Sequence, residues 1–301
     1  MRIAAHLGVK DEIELIEDSI AHLRSIGVDH IIACDMSSSD GTERVLASHA
    51  GKDFEVLRIS DTEPDDFEGW AAANLARIKA VDADWILFLD ADEFWLPASG
   101  SLKTCAELGA DRDLLSVDRF NVPLGESGPY LPLPAGPSRH DEILLIVKPI
   151  ADFRAALARD PGESWIRAVP MSKVIVRPEC IGALTIGLHD VEPPPGHNLR
   201  RAGAKSIVTA HLPFTTRTRF KAKVDNIRKV FDVHDAFFAD RMAWHWRRWL
   251  ELARTGELDA EYDRSIWRTA KIAALRQEGV IRSAAELLAE RGAAAVQTAR
   301  S

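Results

Sequence analysis

The sequence predicts an α/β fold: a mixed, mainly parallel sheet flanked by helices, with a C-terminal helical appendage. Three observations carry that expectation. Over residues 1–97, short apolar runs alternate with stretches of helical periodicity, the pattern of a parallel sheet covered on both faces. Three of those segments close on charged residues, at the strand ends where such sheets place their ligands. Past Thr216 the apolar residues fall only at helical spacing.

The elements follow in order. Arg2 to Val9 reads as a buried strand, and Glu12 to Ile26, with Ile13, Ile16, Ile20, Leu23 and Ile26 apolar, as a helix that Gly27 ends. His30 to Asp35 is a second strand, Ser37 to Gly41 a capped loop, and Thr42 to Ser48 a helix. Phe54 to Ile59, Glu68 to Val81 and Trp85 to Leu89 then give strand, helix and strand, the last closed by Asp90. In the next half, strands are expected at Leu114 to Val122, Ile143 to Val147, Lys173 to Arg177 and Ile207 to His211, joined by loops rich in Pro and Gly. Gly128 to Pro137 holds four prolines and reads as an irregular surface loop or lid. Helices are expected at Thr218 to Phe231, Arg241 to Thr255, Asp263 to Glu278 and Ser283 to Arg291, packed on the body through Trp244, Trp249 and Trp267. The implied division is 1–215, with halves 1–97 and 98–215, followed by 216–301.

Composition narrows the class. With 301 residues, 46% hydrophobic and 28% charged, the chain can bury a sizeable core. Its longest apolar runs fall far short of the ~18–20 residues of a membrane helix. The N-terminus offers no secretory leader pattern, so a cytoplasmic location is expected. Cys34, Cys105 and Cys180 are odd in number and far apart, which argues against a disulfide framework or a zinc cluster. The net charge of −8 is uneven: residues 1–215 carry 21 basic and 34 acidic side chains, and residues 216–301 carry 17 and 12. An acidic body argues against nucleic-acid binding. The basic tail suits a solvated helical face, a diphosphate, or peripheral contact with an anionic membrane.

The strongest motif is Trp85-Ile-Leu-Phe-Leu-Asp90-Ala-Asp92-Glu93-Phe94-Trp95. An apolar strand ending in Asp-x-Asp presents hard oxygen ligands at the sheet edge, which suits Mn²⁺ or Mg²⁺ completed by water and phosphate. Capping of the following turn is the plainer use. The second motif, Cys34-Asp35-Met36-Ser37-Ser38-Ser39-Asp40-Gly41-Thr42, sets Asp35 at a strand end and Asp40 where it can cap the next helix. The third, Lys10-Asp11-Glu12, follows the first strand.

Together these edges resemble the inverting glycosyltransferases of family 2, which have the GT-A fold. The matching pieces are Lys10 to Glu12, Gly27-Val28-Asp29-His30, Asp35 to Thr42, Ala83-Asp84-Trp85 and Asp90 to Phe94. A further likeness, to family 92, lies in Lys173-Val-Ile-Val-Arg177-Pro178, Gly187-Leu188-His189 and His211. The resemblance implies a nucleotide-diphosphate sugar across the first four strand ends and a glycan, lipid-linked or small-molecule acceptor. It implies that Lys10, Asp11 and Glu12 line the nucleoside pocket, with Asp40 beside the nucleotide. Asp35 would accept from the base, and Asp90 would touch the ribose or metal-bound water. Asp92 becomes the principal metal ligand, and His211, or else His189, closes the metal site. Arg217, Lys221 and Lys223 are candidates to supplement the ion at the diphosphate. An inverting transfer also needs a base at the acceptor hydroxyl, for which Asp190 and Glu163 are candidates, with Glu142 behind them. Lys10 stands where Arg is common in the family, and Met36 where a small polar residue is common. The competing readings are a non-catalytic nucleotide-sugar-binding protein and a haloacid-dehalogenase-type phosphatase, which places Thr or Val where Phe94 stands. No Gly-x-Gly-x-x-Gly follows the first strand, against a nicotinamide dehydrogenase.

Overall fold

Alternation along β1 (Ile3–Val9) sends Ile3, Ala5 and Leu7 into one apolar cluster and Ala4 into another, all fully buried. A strand buried on both faces needs a helical layer on each side, and the chain supplies both. The computed structural model describes residues 1–59, 66–109, 111–234 and 243–298. On one face Ile16, Ile20 and Leu23 of α1 (Ile16–Ser25) and Leu46 of α2 (Thr42–His49) cover the sheet. Ile78 of α3 (Asp66–Ala80) covers the other.

The first half also contains β2 (His30–Asp35), β3 (Phe54–Arg58), β4 (Trp85–Asp90) and β5 (Glu93–Pro97). The second half runs through α4 (Ala106–Gly109), β6 (Leu114–Val117), β7 (Arg119–Asn121), β8 (Leu124–Gly125), β9 (Gly128–Pro129), β10 (Leu144–Ile146) and α5 (Phe153–Arg159). It continues with β11 (Lys173–Val176), β12 (Ala183–Leu184), β13 (Val191–Glu192), β14 (Arg201–Gly203) and β15 (Ile207–His211). The tail comprises α6 (Arg217–His234), α7 (Trp244–Thr255), α8 (Leu258–Ser265), β16 (Ile266–Trp267), α9 (Thr269–Gln277), β17 (Ile281–Ser283) and α10 (Ala284–Thr298).

The central sheet has the order β14-β6-β11-β4-β1-β2-β3. Its strands run parallel except β11, which is antiparallel to both β4 and β6. A mixed, mainly parallel sheet flanked by helices is the expected class. A second sheet, β5-β15-β7, sets His211 opposite Glu93 on one side and Asn121 on the other. That pairing brings the end of the body to the Asp-x-Asp turn.

Several local readings change. The expected strand Leu114 to Val122 divides at Asp118 because its two parts join different sheets. Helix α1 starts only at Ile16, because residues 13–15 form a separate turn in which the Leu15 and Ile16 amides both donate to the Glu12 carbonyl at 2.9 Å. The proline-rich stretch 128–137 is anchored, with Leu131 and Ala135 buried in an apolar cluster. The expected helix Asp263 to Glu278 is interrupted by β16, which pairs with β8, and β17 pairs with β10. The tail therefore contributes strands to the body, which two- and three-residue segments are too short to announce by alternation. Residues 241 and 242 of the expected helix Arg241 to Thr255 lie outside the described residues.

Phe220, Val224, Ile227 and Phe231 recur along one face of α6 and join Phe214, Trp249, Trp267, Leu124 and Leu144 in one apolar cluster. Trp249 is buried with its ring edge-on to Phe220 at 5.2 Å. Truncating it removes the centre of this cluster. Trp249→Ala is expected to lower unfolding free energy by about 3–5 kcal/mol, read from urea denaturation against wild type.

Candidate active site

The first three motifs meet at the carboxyl edge of the sheet. Lys10 Nζ donates to the carbonyls of Met36 (2.6 Å) and Ser37 (3.2 Å), joining the end of β1 to that of β2. Asp11, in a left-handed backbone conformation with φ 52°, accepts from the Ser39 amide at 2.7 Å and Asn226 Nδ2 at 2.8 Å. Burial works to raise its carboxyl pKa, but these donors hold it below the ordinary value. Asp35 is buried and accepts from the Ser38 amide at 2.8 Å, with Arg58 Nε 3.8 Å away. Asp40 uses both oxygens on backbone amides, of Thr42 at the start of α2 and of Ile13.

Asp90 and Asp92 have separate partners because β4 stops at Asp90. Asp90 has a half-exposed side chain and accepts from the buried Lys173 at 3.0 Å. A Cβ on Gly8 would stand 3.0 Å from Asp90 Oδ1, so a side chain there would crowd the carboxylate. Asp92 is buried, and its Oδ2 accepts from Arg219 Nη2 and Lys223 Nζ, both at 2.9 Å. Its Oδ1 faces His211 Nε2 at 3.9 Å, beyond hydrogen bonding. Burial alone would raise the Asp92 carboxyl, but the permanent cations Lys223 and Arg219 hold it well below the usual range.

Arg219 also forks onto Glu12, with Nε and Nη2 at 2.7 and 2.8 Å from its oxygens, while Nη1 donates to the Leu212 carbonyl. Beside them Glu93 is paired with Arg119 and lies 3.6 Å from Lys173. Glu12, Asp90, Asp92 and Glu93 thus face Arg119, Lys173, Arg219 and Lys223, four charges against four.

His211 is held by Asn121, whose Oδ1 lies 2.7 Å from its Nδ1. Burial, then the neighbouring Arg119, holds the imidazole pKa well below its ordinary value, so the ring is neutral at pH 7. His189 lies apart from Asp92. Its Nδ1 is 3.0 Å from the Ser172 carbonyl, and burial and Lys173 lower its pKa to about 4.

Helical geometry sorts the expected cations. Residues i, i+4 and i+7 share one face, and Arg219, Lys223 and Asn226 form that stripe on α6, reaching Glu12, Asp92 and Asp11. Arg217 and Lys221 form the other stripe and pair with Asp259 and Asp263 of α8. Asp190 is engaged by Arg201 at 2.8 and 2.9 Å, Glu163 lies 3.7 Å from Arg167, and Glu142 pairs with Arg139. None of these three is placed against Asp92 or His211. Arg119, Asn121 and Arg219 carry no motif; Lys173 heads the run likened to family 92, where a lysine opening the apolar stretch Lys173-Val-Ile-Val was the one hint of a buried charge with a partner. A second group, Asp113, Cys180 and His197, also converges, with Cys180 Sγ 3.8 Å from His197 Nε2, but the Asp113 carboxylate is forked by Arg200.

Residues 8–142 match the family model for glycosyl transferase family 2. That segment contains all three strand edges. No curated protein matches the chain by sequence. Among solved structures, glucosyl-3-phosphoglycerate synthase from Mycobacterium tuberculosis, in complex with Mn²⁺, UDP and phosphoglyceric acid, is similar at 18% identity and a TM-score of 0.36, over 76% of this chain and 78% of that one. Mannosyl-3-phosphoglycerate synthase from Rubrobacter xylanophilus is similar at 14% and 0.36, over 78% and 74%. S. aureus TarS 1-349 in complex with UDP is similar at 15% and 0.32, over 40% of this chain and only 36% of that one. At these scores the likeness carries no residue correspondence.

Removing the guanidinium shared by Glu12 and Asp92 leaves buried carboxylates short of a partner. Arg219→Met is expected to destabilise by about 3–5 kcal/mol, whereas Arg217→Met, on the exposed stripe, changes stability little. Urea midpoints of the two variants at pH 7 check the contrast.

Proposed function

We infer that this protein is a metal-dependent glycosyltransferase of the Asp-x-Asp type, moving a sugar from a nucleoside diphosphate to an acceptor hydroxyl by a single, inverting displacement. The observation that carries the reading is the pair His211 Nε2 and Asp92 Oδ1, a bare imidazole nitrogen and a carboxylate oxygen facing each other at 3.9 Å. Two electron-pair donors set so close ask for a cation between them. A hard divalent ion about 2.1 Å from each atom can touch both, and the oxygen and imidazole donors suit Mn²⁺. The family match over residues 8–142 supports the reaction class.

In this reading Asp92 and His211 hold the ion, which when bound acts as a Lewis acid on the departing diphosphate. Lys223, Arg219 and Lys173 surround the same place and add fixed positive charge where the leaving group becomes more negative. Each of these cations already faces a carboxylate, of which burial pushes Glu12 and Glu93 above the ordinary carboxyl value, and a divalent ion adds two positive charges that a diphosphate can balance. Asp35, at the end of β2, is the acceptor for the nucleobase, and the segments 10–12 and 37–41 wall the nucleoside. Asp90, half-exposed and steadied by Lys173, accepts from the ribose or from water on the ion.

UDP is expected to raise the melting temperature only with Mn²⁺ present, because a ligand of the native state alone stabilises it. His211→Ala should cost more than the roughly 100-fold in Mn²⁺ affinity that losing a supporting residue costs. A UDP shift that survives chelator would remove the metal from the reading.

A free imidazole titrates near about 6.5; burial of His211 among Arg119, Lys223 and Arg219 moves its value well below that. Mn²⁺ affinity, measured by calorimetry, is therefore expected to stay level as pH falls through about 6.5.

A further inference from the structure

The Asn121 side chain is buried and has only one hydrogen-bonding orientation available. Its Nδ2 donates to two backbone carbonyls, of Ile166 at 2.9 Å and Ala168 at 3.1 Å. Turning the amide over would set Oδ1 against both carbonyls, acceptor to acceptor, so Oδ1 is left to face His211 Nδ1 at 2.7 Å. An amide oxygen only accepts. The proton of the neutral imidazole must therefore sit on Nδ1, and Nε2, on the Asp92 side, carries a lone pair.

We propose that Asn121 is a positioning residue: by anchoring its amide on the carbonyls of Ile166 and Ala168 it fixes His211 as the Nδ1–H tautomer and aims bare Nε2 at the gap beside Asp92. The proposal rests on the metal reading above. It also makes the segment 166–168, next to Trp165 on the far wall, part of what holds the ion site, because those carbonyls decide which way the amide points. Neither residue type nor spacing marks Asn121 for this role; it follows from β7 lying beside β15 with Asn121 opposite His211.

The test has two parts. In the first, histidine ¹⁵N NMR on the metal-free wild-type protein reads the tautomer without any variant: a pyrrole-like Nδ1 and a pyridine-like Nε2 are expected for His211, and the reverse pattern overturns the proposal. In the second, Mn²⁺ affinity is measured by calorimetry for Asn121→Ala and Asn121→Asp. Alanine removes the acceptor and should weaken Mn²⁺ by roughly 10- to 100-fold. Aspartate keeps an oxygen for Nδ1–H but meets the two carbonyls as one more acceptor, so it should lower thermal stability and, unanchored, weaken Mn²⁺ measurably but less than alanine does. Equal loss of Mn²⁺ affinity in both variants, or in neither, makes Asn121 merely structural and overturns the proposal. If the alanine variant does not fold, the wild-type nitrogen pattern still decides. Failure of the wild-type protein to bind Mn²⁺ overturns the metal reading and the purpose given to Asn121 together, whereas binding with the reversed tautomer overturns the proposal alone.

Discussion

One guanidinium fixes the geometry on which the rest of the site depends. Arg219 reaches from the first turn of α6 to Glu12 at the end of β1 and to Asp92 beyond the end of β4, with a third side on the Leu212 carbonyl. Buried and fully hydrogen-bonded, it holds two carboxylates that would otherwise repel one another. Burial of the guanidinium works to lower its pKa, and Glu12 and Asp92 together raise it. Such a pair is weak evidence for stability, because desolvation offsets much of the attraction. Its use is geometric: it sets α6 against the sheet edge in one register, which brings Lys223 onto Asp92 and Asn226 onto Asp11 at the same time.

The electrostatics of the cluster follow from that register. Four carboxylates and four cations lie within one polar pocket, and each charge contacts at least one of opposite sign. Where the balance is left open is the Oδ1 side of Asp92, where the next group is a neutral histidine. On the reading proposed above, that open side is the place for a cation.

The tail has a larger part in this than an appendage would. Its helix α6 brings the cations, and its short strands β16 and β17 pair with β8 and β10 of the body. Phe214, Phe220, Trp249 and Tyr262 lock these pieces by tilted and edge-on ring contacts. Because Trp165 belongs to the same aromatic group and stacks on His245 at 4.6 Å, the segment whose carbonyls orient Asn121 is itself held by the tail.

How much of this was legible in the chain depends on the range of the interaction. The strand and helix periods of residues 1–97 are local, so β1 to β4, α2 and α3 could be read within a residue or two, α1 apart from its start, and the three acidic edges with them. Asp92 and His211 stood out as residue types, but that they face each other was decided by the antiparallel pairing of β5 with β15. Arg217 and Arg219, two residues apart, are the same residue type, and the sequence reading named Arg217 for the diphosphate where the structure brings Arg219 to the acidic edge. A helix turns 100° per residue, so one of them meets the sheet edge and the other meets α8, and only the docking of α6 chose which. The sequence by itself determined the strands β1 to β4, their helical cover and the acids at their carboxyl ends, because each rests on neighbours in the chain. The tertiary structure alone decided which cations reach the acids and set Asn121 beside His211, because each depends on contacts between residues some ninety to two hundred positions apart.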